Sequence, residues 1–331
     1  MVSREEFWKE KKVFVTGASG LLGGHLVREL VNLNAEVTVL LRDWNPSSEL
    51  IKTGLLEKVN IVRGSLADMP TLARALHEYE IDSIFHLGAQ TQVTIANQHP
   101  IGTFEANIMG TAYLLEAARH CKTVHRIVVA SSDKAYGTKL KLPYTEDEGL
   151  AGEHPYDVSK SCTDLIAISY FKTYGMPIAV TRCGNLYGPG DLNFNRIVPG
   201  TIKSIYLGAE PIIRSDGTFI RDYLYVGDAV DAYLTVAENL HRTDVKGNAF
   251  NFSSEERSNV LDMVNAILKL TCSKLKPKIL NEAHGEIKNQ YLSNEKSRKV
   301  LGWEASHKLE KGLAKTIPWY QEFFKERYGS K

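Results

Sequence analysis

The sequence predicts an α/β fold, a doubly wound parallel sheet with a smaller α+β carboxy-terminal domain, and two observations carry that prediction. From Val13 onward, short apolar runs ("VFVTG", "EVTVLL", "VNIVRG", "SIFHLG", "RIVVASS") alternate with longer amphipathic stretches. This is the rhythm of strands buried on both faces and joined by covering helices. After "PIAVTRCGNLYGPGD" the rhythm breaks into a Gly- and Pro-rich loop, short strands and further helices.

The elements follow in order. Between the first strands lie "GGHLVRELVNL", "MPTLARALHEYE" and "GTAYLLEAARHC", whose apolar residues recur every three or four positions, so each lays one face on the sheet. Beyond residue 181 come "RIVPGTIKSIYLG", "VGDAVDAYLTVAENL" and "NVLDMVNAILKL". The expected division is 1–180 for nucleotide binding and 181–331 for substrate, with interleaved segments. The stretch "CSKLKPKILNEAHGEIKNQ" reads as a solvated, loop-rich segment, and Trp303 in "VLGW" as a core anchor.

Composition narrows the function classes. A chain of 331 residues with 43% hydrophobic content buries a large core, while a net charge of +1 gives no basic footprint for nucleic acid or a membrane surface. Cys121, Cys162, Cys183 and Cys272 show neither CxxC nor Cys/His spacing, so neither a metal site nor a disulfide framework is expected. The start, "MVSREEFWKEKK", lacks an apolar signal core, and no run reaches the roughly 20 apolar residues of a membrane span. The expectation is a cytoplasmic protein.

The segment "VFVTGASGLLGGHLV" sets Gly17, Gly20 and Gly23 between a strand and a helix. Gly17 suits a tight turn, Gly20 lets a pyrophosphate approach the backbone, and Gly23 permits close helix packing; the helix amino end favours the anion. This is a Rossmann-type dinucleotide site. The second strand ends "VLLRDW", where Asp43 suits a ribose hydroxyl and Arg42 a 2′-phosphate, so NAD and NADP both stand. In "HPYDVSKS", Tyr156 and Lys160 lie four apart on one helix face. An ammonium there is expected to lower the phenol pKa and make Tyr156 a base. His86 reads as a satisfied core histidine, and His154 is assigned no role. Tyrosines 136, 144, 187, 223 and 225 are expected to pack or to line a pocket.

Together, "TGASGLLG", "FHLGAQ", "NIMGTAYLLEA", "SSDKAYG", "PYDVSK", "TRCGNLYGPGD" and "FIRDYLYVGDAVDAY" resemble the extended short-chain dehydrogenase/reductase superfamily, whose members act on nucleotide sugars. The resemblance covers nearly the whole chain. It implies a hydride-transfer triad of Ser132, Tyr156 and Lys160, with Lys160 also on the nicotinamide ribose and Asn107 in support. It implies cofactor contacts at Gly17, Ser19, Gly20, Leu21, Leu22, Gly23, Arg42, Asp43, Leu66, Leu87, Ala89 and Gln90. Substrate contacts fall to Asn185, Arg196 and Arg221, where Asn185 and Arg221 match positions that hold the diphosphate. A homodimer through "GTAYLLEAARH" and "SKSCTDLIAISYF" is implied as well. Two departures stand out: Ser65 replaces an aspartate that faces adenine in relatives, and Gly88 replaces an alanine.

Asp133 and Lys134 go beyond the triad. A 4-epimerase takes one hydride and returns it to the same carbon. A 4,6-dehydratase must also remove the C5 proton and expel the C6 hydroxyl, which needs a further base and acid. In the resemblance, dTDP-glucose dehydratases carry Asp-Glu after the catalytic hydroxyl residue and CDP-glucose 4,6-dehydratases carry Asp-Lys. This implies a lyase making a 4-keto-6-deoxy sugar, with CDP-glucose as its nucleotide sugar, Asp133 as acid and Lys134 as a candidate C5 base whose pKa falls through burial beside Lys160. Other readings remain: a local Asp133–Lys134 ion pair, a 4-epimerase using the same triad, or a non-catalytic dinucleotide-binding protein.

Overall fold

The computed structural model describes residues 2–282 and 287–329, so positions 283–286 of the loop-rich segment lie outside the described residues. Six strands follow the predicted runs: β1 (Lys12–Thr16), β2 (Glu36–Leu41), β3 (Asn60–Arg63), β4 (Ser83–His86), β5 (Arg126–Ala130) and β6 (Ile178–Cys183). After them come β7 (Asn185–Tyr187), β8 (Ile212–Ile213), β9 (Ile220–Tyr225), β10 (Ala249–Phe252), β11 (Arg257–Asn259), β12 (Lys278–Ile279) and β13 (Asn289–Gln290).

The large sheet has the order β10-β6-β5-β4-β1-β2-β3, and all of its pairs are parallel. The order reverses between β1 and β4, and at such a switch point the connections leave in opposite directions and open a crevice at the strand carboxyl ends. Period-two alternation splits each strand between two cores. Val13 and Val15 face the helix Leu21–Asn32 through Leu26 and Leu30, whereas Phe14 faces Leu72, Leu76 and Leu114 on the other side. Every residue of β6 is buried. That matches an interior strand covered on both faces.

Later segments return to this sheet. Helix Val226–Asn239 packs Ala229, Val230, Tyr233 and Leu234 into the same core as Val13 and Val128, and β10 extends the sheet beside β6. Trp303 stands edge-on to Phe252 at 4.8 Å and is buried, the anchor expected of it.

The carboxy-terminal region joins β9 to β7, β11 and β13, beside helices Ile197–Tyr206, Val260–Leu270 and Leu309–Tyr328. Its core gathers Val198, Met263, Ile267, Leu313, Tyr320 and Phe324. Tyr136, Tyr144, Tyr187, Tyr223 and Tyr225 are all buried packing residues. Among the described residues, no helix is long and apolar enough to cross a membrane.

Candidate active site

The crevice begins at the glycine turn. Gly17 has φ +74°, and a Cβ on it would lie 2.7 Å from the Gly88 backbone nitrogen. That pins the turn after β1 against the turn after β4, so Gly17, Leu87, Gly88 and Ala89 border one opening. A Cβ on Gly23 would meet the Gly17 carbonyl oxygen at 2.1 Å, so the helix packs on the turn only because the side chain is missing. Exposed Gly20 caps the helix, and a Cβ there would meet only the Gly17 oxygen, at 3.3 Å. The surface above the helix amino end is therefore bare backbone, the cradle a pyrophosphate needs. Half-buried Ser19 lies in the turn, while Leu21 and Leu22 pack toward the carboxy-terminal core.

One of the two departures, Gly88, finds a physical reason here. Buried Leu66 is wedged between two glycines: a Cβ on Gly88 would lie 3.1 Å from Leu66 Cδ1, and one on Gly110 would lie 2.7 Å from Leu66 Cβ. Gly88 thus makes room for Leu66 and for Thr16, whose Oγ1 accepts from the Leu87 and Gly88 amides at 3.1 and 3.0 Å. Arg42 and Asp43 are exposed and paired with each other at 2.7 Å.

His86 is a core residue, as expected. Its ring nitrogens meet Thr16 Oγ1 at 2.9 Å and Thr111 Oγ1 at 3.0 Å, and burial drives its pKa down to about 3. His154, at the cap of helix Pro155–Tyr174, is exposed.

Asn107 sits in a π-helical turn, Glu105–Met109, inside an otherwise regular helical run. The extra residue of such a turn frees backbone groups from the ladder. The freed Asn107 carbonyl accepts from Thr111 at 2.6 Å and Thr163 at 2.9 Å. Its side chain accepts from the Gln90 amide at 2.7 Å, and donates to the Gln90 carbonyl at 3.0 Å and to Ser159 at 2.8 Å. Asn107 therefore ties the β4 turn to the helix bearing Tyr156 and Lys160.

Lys160 is buried, and its Nζ donates to the Ala130 carbonyl at the end of β5 at 2.7 Å. Burial lowers its pKa to about 8, opposed by Asp164. Tyr156 corrects an expectation: its pKa is pushed up to about 12 rather than lowered. Burial dominates, a hydrogen bond with Ser132 and the charge of Arg196 work against it, and Lys160 is turned toward β5.

Ser132 caps a single 3-10 turn, Asp133–Tyr136. Its hydroxyl donates to Asp133 Oδ1 at 2.9 Å and accepts from the Lys134 amide at 3.2 Å. Asp133 is buried, and burial raises its pKa against the pull of Lys134, Ser132 and Arg221. Lys134 acts on Asp133 and on Asp157, while the charge acting on Lys160 is that of Asp164.

Tyr136 anchors this turn from below. It donates to Asn251 Oδ1 at 2.7 Å and accepts from Arg182 at 2.8 Å, and Arg182 is held by both carboxylate oxygens of Asp164 at 2.7 and 3.0 Å.

Of the substrate candidates, Arg221 is buried, donates to the Ile220 and Lys288 carbonyls, and acts on Asp133. Arg196 pairs with Asp191 at 3.1 Å and acts on Tyr156. Asn185 is exposed at the start of β7. Two buried carboxyls escaped sequence reading. Asp157, beside Tyr156, is pushed up by burial. Asp222 is pushed up to about 7 by burial, and its Oδ1 has no hydrogen-bond partner among the described residues. The only signal for Asp222 was an acid inside the apolar run "FIRDYLYV".

A glycine cradle at the switch point, with a buried serine and lysine and a half-buried tyrosine on the adjoining elements, is a site of the short-chain dehydrogenase type. More narrowly, residues 13–252 match the NAD dependent epimerase/dehydratase family, and the chain belongs to it. That membership selects NAD from the two dinucleotides that Arg42 and Asp43 left open.

The CDP-glucose 4,6-dehydratase of Salmonella typhimurium is 28% identical over 338 residues, spanning 97% of this chain and 93% of its own. The dTDP-glucose 4,6-dehydratase of Streptomyces venezuelae, solved with NAD bound, superposes with a TM-score of 0.84 at 26% identity, covering 94% of this chain and 97% of that one. The UDP-glucose 4-epimerase of Thermotoga maritima gives 0.86 at 26% identity over 94% and 99%. The chain spans about half the length, 48%, of two trifunctional dehydratase/epimerase/reductase relatives in Arabidopsis thaliana.

Proposed function

We propose that the protein is a nucleotide-sugar 4,6-dehydratase, with CDP-glucose as its first candidate substrate. The observation that carries this reading is the 3-10 turn Asp133–Tyr136, which follows Ser132 directly and sets a buried carboxyl on the serine hydroxyl, with Lys134 next to it. Epimerisation has no use for that carboxyl; elimination does.

Gly17, Gly20, Gly23 and Lys160 would hold NAD, which would supply a reversible hydride acceptor for oxidation at C4 and reduction at C6. Tyr156 takes the C4 hydroxyl proton. Asp133 protonates the departing C6 hydroxyl, a task suited to a carboxyl whose burial favours the neutral form. Lys134 handles the C5 proton. Asn185, Arg196 and Arg221 hold the diphosphate, where guanidinium forks suit the paired anions.

The Salmonella relative supports CDP-glucose, and mass spectrometry of products from CDP-, UDP-, GDP- and dTDP-glucose tests it. The expected result is loss of one water from CDP-glucose. Loss from another nucleotide sugar moves the base assignment and keeps the reaction class. Unchanged mass with all four, together with inverted C4 configuration, selects the 4-epimerase instead, the reading favoured by the Thermotoga neighbour.

We further read the chain as a cytoplasmic homodimer. Exposed Ile101, Met109 and Leu165 lie on the packed helices around Asn107 and Lys160 and leave apolar surface for a second copy. Sedimentation at micromolar concentration checks this reading, and a monomer refutes it.

A further inference from the structure

Gln290 lies on β13 in the small carboxy-terminal sheet, yet its side chain reaches the turn that follows β5. It is fully buried, and its Nε2 donates to the Asp133 carbonyl at 3.0 Å. Its Oε1 is buried as well and has no hydrogen-bond partner among the described residues. A buried acceptor left unpaired costs about as much as a single hydrogen bond returns. One bond made and one acceptor wasted leave this amide with little to add to stability. What it does supply is a fixed position for Asp133.

The rest of that turn is held by the large sheet and the segments packed on it. The Ala135 carbonyl accepts from the Ala151 amide at 3.0 Å and from the Ser161 hydroxyl at 2.8 Å. Tyr136 bonds Asn251 on β10 and Arg182 on β6. The backbone of Asp133, the one carboxyl of the turn, is tied across to β13 instead.

β13 runs parallel to β9 in a register that sets Gln290 directly opposite Arg221. Residues on one rung of a sheet send their side chains to the same face. Arg221 is fixed at this edge by donating to the Ile220 and Lys288 carbonyls, both at 3.0 Å. A single rung of the small sheet therefore carries the proposed diphosphate anchor and the hold on Asp133.

We propose that Gln290 is a positioning residue for elimination, setting the Asp133 carboxyl at a fixed distance from the diphosphate site so that an anchored nucleotide sugar meets the acid at C6. The proposal rests on the dehydratase reading above. In the step it serves, Asp133 gives its proton to the C6 hydroxyl, the C6–O bond breaks and water leaves. The electron pair of the C5–H bond becomes the C5–C6 double bond as Lys134 takes the C5 proton. Gln290 makes and breaks no bond. Oxidation at C4 depends on Tyr156 and Lys160, whose helix is held separately, by Lys160 on the Ala130 carbonyl and by Asn107 on Ser159. Loosening Gln290 should therefore separate the two half-reactions.

The test is Gln290→Met, which keeps the length of the side chain and removes both polar atoms. Its urea midpoint should stay near that of wild type, since the wasted acceptor goes together with the bond. The first turnover is then followed in the NAD-loaded full chain, with whichever of CDP-, UDP-, GDP- or dTDP-glucose it dehydrates. Nicotinamide reduction and KM should keep their wild-type values, while water loss, read by rapid-quench mass spectrometry, slows at least about tenfold. Reduced nicotinamide should accumulate as a result. Gln290→Asn, an amide one carbon too short to reach Asp133, should show the same split. In an Asp133→Asn background, Gln290→Met should slow water loss no further, because its effect runs through Asp133.

Oxidation and water loss slowed equally in both variants would mark a general loosening of the crevice and overturn the proposal. Wild-type water loss in Gln290→Met, or a further slowing in the Asp133→Asn background, overturns it too and leaves the dehydratase reading standing. If wild type returns every nucleotide sugar at unchanged mass, the dehydratase reading falls and takes the positioning role with it.

Discussion

Two turns at the carboxyl end of the same sheet are built by opposite means. The turn after β1 is shaped by missing atoms: Gly17 and Gly23 let backbone segments approach to distances that any Cβ would forbid. The turn after β5 is shaped by polar atoms beneath it, where Asp164, Arg182, Tyr136 and Asn251 form a buried line of hydrogen bonds. The first presents a smooth anion-binding surface. The second carries charged side chains in fixed positions over a low-dielectric support. A steric turn should fail in ligand affinity when broken, and a polar one in stability.

The largest break is expected at Asp164. Asp164→Ala leaves the Arg182 guanidinium buried without its carboxylate, and removing one partner of such a pair costs about 3–5 kcal/mol. Urea unfolding should show this loss, and an unchanged midpoint would show that the polar support is dispensable. At the other turn, Gly23→Ala forces the helix off the Gly17 carbonyl, an overpacking strain of about 1–3 kcal/mol. NAD affinity measured by calorimetry should weaken at least about tenfold, the equivalent of 1.4 kcal/mol.

Asp222 offers a pH test of the polar region. Its folded pKa of about 7 lies above its unfolded value near 3.8, so the folded state binds the proton more tightly. The stability it contributes is fully present below the unfolded value and lost as pH rises through about 7. Asp222→Asn should remove this slope, at most about 1.4 kcal/mol per pH unit. The wild type should therefore gain on the variant between pH 7 and pH 5, as read from urea midpoints. A gap that stays constant with pH would place the shift elsewhere.

The smallest effect is expected at Gly88→Ala. The added carbon would sit 3.1 Å from Leu66 Cδ1 and Thr16 Oγ1, contacts that a few tenths of an ångström relieve. NAD affinity should change less than about threefold, which is below 0.7 kcal/mol. A larger change would mean that Leu66 is held rigidly against the cofactor wall.

The contrast between the turns also explains what could be read early. Gly17, Gly20 and Gly23 announce themselves because backbone shape is a local property. Tyr156 and Lys160 do so because four residues make one helical turn, and Ser132 because it ends an apolar strand. Asp157 and Asp222 stayed hidden: their burial depends on segments far along the chain, such as the amide of Leu292 that bonds Asp222. Gly88 looked like an unexplained departure from the family's alanine until Leu66 was seen filling its space. The phenol pKa was expected to fall because spacing brings Lys160 near, yet spacing carries no information on solvent exclusion.

The sequence by itself determined the alternation of the first strands and helices and the glycine turn, and it singled out Ser132, Tyr156 and Lys160. Periodicity and backbone permission act over a few residues, and those features need nothing more. Only the tertiary structure decided the direction of the charges. It turned Lys160 onto the Ala130 carbonyl, raised Tyr156 to about 12 and set Asp133 on the Ser132 hydroxyl. Desolvation and hydrogen-bond polarity belong to the assembled crevice, since they depend on every segment that closes over a group.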